Sequence, residues 1–214
     1  MRVGFIVDGE AEFRSLSGIY PRLGVSATLL APLKSDIQPL APLPQIAASI
    51  KIPLRIMHGR GADLVVVLLD REMRTECPGD LARSLSLLLS LSYPVPRIAV
   101  VMKDRRFENW LVSDPEVFRH FKARFRFESG HRSQVAPDKA DHIDALAMLK
   151  RLVIQQDYSK VKDAVQILRH AEPSRMARNS RSFRRFLRLL GHPAYSLQSR
   201  RPNGSWANRN RDTR

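Results

Sequence analysis

The chain has 214 residues, of which 43% are hydrophobic and 27% charged, a composition typical of a globular protein with a sizeable core. No apolar run approaches the roughly 20 residues of a membrane-spanning helix, and the N-terminal sequence lacks the apolar stretch of a signal peptide. We therefore expect a cytoplasmic protein without membrane contact. The single cysteine, Cys77, excludes an intrachain disulfide and a Cys-x-x-Cys zinc site.

The formal net charge of +15 is concentrated in the second part of the chain. Residues 1–121 hold 15 lysines and arginines against 13 acids, whereas residues 122–214 hold 21 against 8. Residues 175–214 alone contain 11 arginines and one acid, Asp212. Because guanidinium groups pair bidentately with phosphates, this asymmetry favours a polyanion such as a nucleic acid as partner. A solvated basic surface is the plainer alternative.

Short apolar runs along the first half of the chain predict the strands of a sheet. Residues 2–7, 63–69 and 97–102 are almost continuously apolar, as strands covered on both faces are. Residues 25–31 are a fourth candidate. Residues 32–53 contain five prolines, so we expect a loop with a short helix there.

Apolar residues at helical spacing appear between and after these strands. They are Leu81, Leu85 and Leu88; Trp110, Leu111 and Val117, divided by Pro115; Ile143, Leu146, Leu149 and Val153; and Phe183, Phe186, Leu187 and Leu190 before Gly191. Strands that alternate with helices indicate an α/β fold with a mainly parallel sheet. We expect an α/β core at 1–121, a basic helical extension packed on it at 122–195, and a disordered basic tail at 196–214.

Acidic residues follow three of the predicted strands. Asp8-Gly9-Glu10-Ala11-Glu12 follows the first, Asp70-Arg71-Glu72 the second, and Lys103-Asp104, with Glu108 nearby, the third. In open parallel sheets, functional groups collect beyond the carboxyl ends of the strands. Carboxylates brought together there need a cation between them, and oxygen ligands of this kind suit Mg²⁺ or Mn²⁺. The pattern therefore predicts a metal site.

Most of these acids also have an ordinary structural interpretation. Asp-Gly after a strand is a common turn, and Glu10 and Glu12 fit the first turn of a helix, where the macrodipole favours acids. Glu108 fits the start of another helix. Asp70 is the most informative, because an acid directly at the end of a buried strand is costly unless it has a function.

The order of these segments resembles the Toprim domain of the overcoming-lysogenization-defect nucleases. Val7-Asp8-Gly9-Glu10-Ala11-Glu12 is similar to the first Toprim motif, and Asp70-Arg71-Glu72 resembles the later D-x-D motif. Three further segments resemble a bacterial Toprim-like family classed as a domain of unknown function and numbered 4276: Glu108 to Asp114, Tyr158-Ser159-Lys160, and Asn179 to Phe186. The resemblance covers roughly residues 1–190 and implies a Toprim or Rossmann-like sheet.

The resemblance also implies roles for individual residues. Asp8 and Glu12 match catalytic acids, and Lys160 matches a lysine that stabilises charge on the transferred phosphoryl group. Two Mg²⁺ or Mn²⁺ ions are expected. Asp8 stands where the family usually has glutamate, and Glu72 where it has aspartate, so both acids change length by one methylene. The implied metal ligands are Asp8, Glu12, Asp70, Glu72 and Glu108.

Together, these patterns predict a metal-dependent nuclease that hydrolyses DNA or RNA. The resemblance implies an ATPase partner of the ABC or AAA kind in anti-phage defence, since the chain has no phosphate-binding loop of its own. The alternatives are a catalytically weakened Toprim scaffold that binds nucleic acid or a partner, and a structural protein whose basic tail docks on an acidic partner. The residues expected to hold nucleic acid lie on one helix face: Arg181, Arg184, Arg185 and Arg188.

Overall fold

A parallel sheet lies at the centre of this computed structural model, which describes residues 1–93 and 97–199. Its strands are β1 (Arg2–Val7), β2 (Thr28–Leu29), β3 (Leu33–Lys34), β4 (Leu64–Asp70) and β5 (Ile98–Lys103). The order is β2-β1-β4-β5, and β3 also pairs with β1. All the pairs are parallel. The predicted α/β class with a parallel central sheet is confirmed.

The register of the three long strands brings their carboxyl ends to one edge of the sheet. Val7 of β1 pairs with Leu68 of β4, and Asp70 at the end of β4 pairs with Lys103 at the end of β5. Asp8 directly follows β1. The side chains that follow or end these strands therefore meet in one place.

Helices flank the sheet, and each of the four predicted helical segments contains a helix, although Ile143, Val153 and Leu190 fall just outside the observed helix bounds. In the described part of the chain the α-helices are α1 (Glu10–Ser15), α2 (Leu43–Gly59), α3 (Pro78–Ser92), α4 (Phe107–Val112), α5 (Ser129–Val135), α6 (Ala145–Leu152), α7 (Lys162–His170), α8 (Pro173–Asn179) and α9 (Arg181–Leu189). As expected, Pro115 separates α4 from a 3₁₀ helix, Pro115–Phe121. None of the described helices is long and apolar enough to span a bilayer. Of the predicted tail, residues 200–214 lie outside the described residues.

The prediction of a loop with a short helix at residues 32–53 was right only in part, because a loop at 35–42 is followed by a long helix. This region contains the short strand β3 and most of α2, a helix of 17 residues. Prolines at the first turn of a helix cost little, because the N–H groups there have no intrahelical acceptor; Pro44 lies in that turn, while Pro53 is buried inside the helix. The helix is held by an apolar stripe that packs on the sheet: Ile46, Ile50, Leu54 and Met57.

The two faces of the sheet are covered by different sets of helices. Val65, Val67 and Leu69 of β4 pack with α2 and α3 in one buried cluster. Leu64, Val66 and Leu68 point the other way, into a larger cluster that includes residues of α4 and of α6 to α9. The basic helical part therefore shares a continuous core with the α/β part.

Helix α4 joins the sheet to the C-terminal helices. Trp110 is fully buried, and its Nε1 donates a hydrogen bond to Ser182 Oγ at 2.7 Å. The ring of Phe183 packs edge-on against the indole, with 5.1 Å between ring centres. Just beyond α4, the buried Asp114 accepts two hydrogen bonds from the guanidinium of Arg175, at 2.6 and 3.0 Å. The segment around Trp110 therefore serves packing in addition to any role at a site.

Asp141 anchors the start of α9. Its buried carboxylate accepts hydrogen bonds from Ser182 N at 2.8 Å, Ser180 Oγ at 2.7 Å and Ser182 Oγ at 2.9 Å. Burial raises the pKa of Asp141 from 3.8 to about 6, and the nearby Asp104 adds to the rise, while the three hydrogen bonds oppose it. An acid with a raised pKa in the folded state stabilises the fold most below its unfolded pKa.

We expect the stabilisation from Asp141 to be complete below pH 4 and to be lost as the pH rises through about 6. Asp141→Asn removes this titration. Between pH 4 and 6, the free energy of unfolding of the wild-type protein should therefore fall by about 2–3 kcal/mol more than that of the variant. Chemical denaturation across this pH range checks the difference. Parallel stability curves for the two proteins would contradict it.

Candidate metal centre

Three carboxylates converge beyond the ends of β1 and β4. Asp8 follows β1, Glu12 lies in α1, and Asp70 ends β4. One oxygen from each lies within 4.8 Å of the others. The backbone N–H of Asp70 donates to Asp8 Oδ2 at 2.9 Å, which fixes the Asp8 side chain against the end of the neighbouring strand. The predicted convergence of Asp8, Glu12 and Asp70 is therefore present. We call these three residues the acid cluster.

Lys103 is the cation of the acid cluster, and sequence reasoning did not assign it to the site. The side chain is fully buried, and Nζ lies 3.0 Å from oxygens of Asp8 and Asp70. Nζ also donates a hydrogen bond to Glu12 Oε1. The sequence predicts a strand that ends at Met102, one residue before the lysine, whereas β5 includes Lys103.

Gly9 allows Glu12 to reach the cluster. Its backbone is extended, with φ −115° and ψ 153°, so no positive φ demands a glycine here. A Cβ built on Gly9 would instead overlap the carboxylate of Glu12. Glu10, one residue further on, points outward and pairs with Arg14 at 2.7 Å and Lys34 at 2.8 Å. Of the two helix-start acids, only Glu12 belongs to the cluster.

The charges of the cluster do not balance. Three carboxylates and one ammonium give a formal charge of −2 when all are ionised. Burial raises the pKa of Asp70 well above its usual value, and Asp8 and Glu12 add to the rise against the opposing effect of Lys103. Burial also raises the pKa of Glu12. Burial alone would lower the pKa of Lys103, but the three carboxylates outweigh it and raise that pKa.

Two loops with strained backbone border the cluster. Glu72 and Arg105 both have positive φ, at 54° and 69°, a conformation that residues other than glycine rarely adopt. Glu72 N donates to Arg105 O at 2.8 Å, which joins the loop after β4 to the loop after β5. Arg71 Nε donates to the buried Asp104 at 2.7 Å and adds a second link. Such strain persists only where the surroundings enforce it, and it is common at functional sites.

Three other predicted site residues lie outside the acid cluster. Glu72 pairs with Arg106, with 3.4 Å between Oε2 and Nη2. Glu108 is buried in the first turn of α4 and is not part of the converging group. Lys160 is exposed in the turn before α7, in contrast to the buried Lys103. In the described residues, the ligand set for a cation is therefore smaller than the sequence suggested.

The cluster fits a hard divalent cation. Its donors are carboxylate oxygens, which Mg²⁺ and Mn²⁺ prefer, and its formal charge would be neutralised by one such ion. Asp70 Oδ1 is buried and has no partner in hydrogen-bond geometry among the described residues, although it lies 3.0 Å from Lys103 Nζ. Asp8, Glu12 and Asp70 would hold one ion, and a second would need ligands from outside this cluster.

The four arginines predicted to hold nucleic acid differ in their contacts. Arg184 pairs with Asp138 and donates to Gln198 Oε1 at 2.8 Å, and Arg188 donates to Gln198 O. These guanidinium groups hold the residues that follow α9, as does Arg181, whose Nη2 donates to Ser199 O at 2.9 Å. Arg181 and Arg185 also line a cleft beside β5.

The chain belongs to a known family. The model of the family described as Domain of unknown function (DUF4276) matches residues 12–191, which include Glu12, Asp70 and Lys103. None of the curated proteins and none of the solved structures compared with the chain matches it significantly. The relation of this family to the Toprim nucleases stays a prediction.

Replacing Lys103 tests whether it is the counterion of the acid cluster. We expect Lys103→Met to lower the free energy of unfolding by about 3–5 kcal/mol, because it leaves buried carboxylates without their cation. Mn²⁺ should restore part of the loss by binding the folded state. Chemical denaturation with Mn²⁺ and with chelator measures both effects.

Lys34→Met is the matched control. Lys34 forms an exposed pair with Glu10, so its loss should cost less than about 1 kcal/mol. A Lys103→Met protein as stable as Lys34→Met would show that the ammonium does not hold the acid cluster together.

Proposed function

We propose that the chain is a Mg²⁺- or Mn²⁺-dependent nuclease of the Toprim type. One observation carries the proposal: Asp8, Glu12 and Asp70, from separate elements, place oxygens within 4.8 Å of one another at the carboxyl end of a parallel sheet. Burying three carboxylates side by side is costly unless a cation compensates them. The sequence resemblance to the Toprim nucleases supports the proposal, because Asp8, Glu12 and Asp70 resemble residues of their first two acidic motifs.

The residues of the site suit hydrolysis of a phosphodiester. A bound divalent ion would polarise a phosphoryl oxygen and lower the pKa of its water. Lys103 holds the acids at their spacing, and its ammonium is the one positive side chain that contacts all three carboxylates in the described part of the chain. Glu12 and Asp70, whose pKa values are raised, can hold protons that a cation would displace.

The partners follow from charge and resemblance. The basic part of the chain supports DNA or RNA as the substrate, because guanidinium groups recognise phosphates. The resemblance supports an ATPase of the ABC or AAA kind as a partner in cytoplasmic anti-phage defence. Both are proposals about this chain.

We expect the purified protein to cleave plasmid DNA, single strands or tRNA with Mn²⁺ and to stop with chelator. Asp70→Asn should lower the cleavage rate by about 100-fold or more, since it removes a proposed ligand. Asp36→Asn, an exposed acid in a loop, is the control and should cleave normally. Gel assays follow the products. An inactive parent protein, both alone and with its ATPase partner, would contradict the proposal.

A second function, a binding module that cuts nothing, is favoured by one observation. The Lys103 ammonium lies among the three carboxylates, where a metal ion would otherwise compensate them. A scaffold of this kind should keep its activity in cells when Asp70 is replaced by alanine and lose it when Arg185 is reversed to glutamate. The nuclease should lose activity with either change.

A further inference from the structure

A cleft of about 90 Å³ lies along the open edge of β5, between α3 and α9. It has room for a few water molecules or one small anion. Among the described strands, β5 is the last of the sheet, so its outer edge faces this cleft. Helix α3 covers one face of the sheet and α9 the other, so the two helices form the walls.

The backbone of β5 offers hydrogen-bonding groups to the cleft. Val65 N donates to Arg97 O, and Arg71 N donates to Lys103 O, each at 3.0 Å. In a parallel pair the groups of alternate residues face the neighbouring strand, so odd-numbered residues of β5 bind β4 and even-numbered ones face outward. Val100 N donates to Ser86 Oγ at 3.1 Å. The edge is therefore partly capped by α3 and does not offer a full ladder to another strand.

The charged residues that line the cleft are all arginines. Arg83 comes from α3, and Arg181 and Arg185 come from α9, and no acid is among the described lining residues. Arg181 Nε is buried and has no hydrogen-bond partner among the described residues. Asp104 and Asp141 lie near Arg181 and balance part of its charge. Nη2 of the same guanidinium donates to Ser199 O at 2.9 Å, so part of the group is already held within the chain. Three guanidinium groups that line one cleft without an acid among its described lining residues favour an anion there.

We infer that this cleft binds a phosphate group of a nucleic-acid strand whose scissile phosphate reaches the acid cluster. This inference rests on the proposed function. Arginines from two helices on opposite sides of the sheet edge suit a tetrahedral, multiply charged oxyanion better than a single carboxylate. The small volume and the partly capped edge exclude an added β-strand.

The position of the cleft relative to the acid cluster supports this assignment. The cleft runs along Ile98 to Met102, and β5 ends at Lys103, which contacts all three acids. At about 3.3 Å per residue, the lining strand residues lie within roughly 3–17 Å of Lys103 along β5. A nucleic-acid strand with one phosphate at the acids can therefore run along the cleft and bring another of its phosphates into it.

The test measures binding without catalysis. Wild-type protein in chelator is titrated with a short fluorescent single-stranded oligonucleotide, as DNA and as RNA, and separately with inorganic phosphate. We expect Arg83→Ala combined with Arg185→Ala to weaken oligonucleotide binding by about 10- to 100-fold. The dependence of log affinity on log salt should become shallower by about 1–2.

The matched control combines Arg55→Ala and Arg60→Ala, two exposed arginines of α2 and its end that do not line the cleft. It removes the same charge and should change binding less than about threefold. Circular dichroism establishes whether each variant is folded. If the double variant does not fold, Arg83→Ala alone, at an exposed position, replaces it in the binding measurement.

The outcomes separate this inference from the nuclease proposal. Oligonucleotide binding that depends on these arginines supports the proposed phosphate site even if no protein cleaves with Mn²⁺. A lack of cleavage counts only against the nuclease proposal. Equal binding by the cleft and control variants overturns the cleft even if cleavage is normal. Binding of inorganic phosphate without the oligonucleotide overturns the nucleic-acid assignment, and binding of neither probe overturns the whole inference.

Discussion

The contact of one buried ammonium with three carboxylates is the constraint on which the arrangement of the sheet ends depends. Lys103 joins the end of β5 to the end of β4 through Asp70, to the loop after β1 through Asp8, and to α1 through Glu12. None of these groups can be buried alone at an acceptable free-energy cost. Burying them together fixes the relative positions of three strands and a helix at the edge where parallel sheets bind ligands.

The acid cluster fits two roles, a metal site and a purely structural site. Among the described residues, Lys103 is the one cation that contacts all three acids, so the cluster carries excess negative charge. Burial raises the pKa values of Asp70 and Glu12 and so disfavours full ionisation. A divalent cation would remove that excess, whereas protons would leave an inert structural site.

Local sequence signals predicted the sheet and part of the site. Asp70 at the end of a continuous apolar run was informative, because burial of an acid there is visible from its neighbours alone. Lys103 was not, since its burial depends on partners 91 and 95 residues away in sequence. The sequence also did not reveal that Glu12 joins the cluster while Glu10 points outward. That outcome depends on the direction in which α1 leaves the strand and on the space above Gly9.

The prolines of residues 32–53 and the arginines of α9 also show where prediction from the sequence fails. Counting prolines led us to expect only a short helix where α2 lies, although Ile46, Ile50 and Leu54 already form a helical stripe. The arginines of α9 share one helix, but their surroundings differ: Arg184 and Arg181 both hydrogen bond within the chain, and of these two only Arg181 lines the cleft beside β5. Helical periodicity identifies the face on which a residue lies, but the partner of that face depends on tertiary packing.

A crystal structure of the protein soaked in Mn²⁺, with anomalous diffraction to locate the ion, tests the central claim most directly. We predict one Mn²⁺ at ligand distance from oxygens of Asp8, Glu12 and Asp70, with Lys103 displaced from at least one of them. An anomalous map without a peak at the acid cluster, with Lys103 still in contact with all three acids at saturating Mn²⁺, would contradict it.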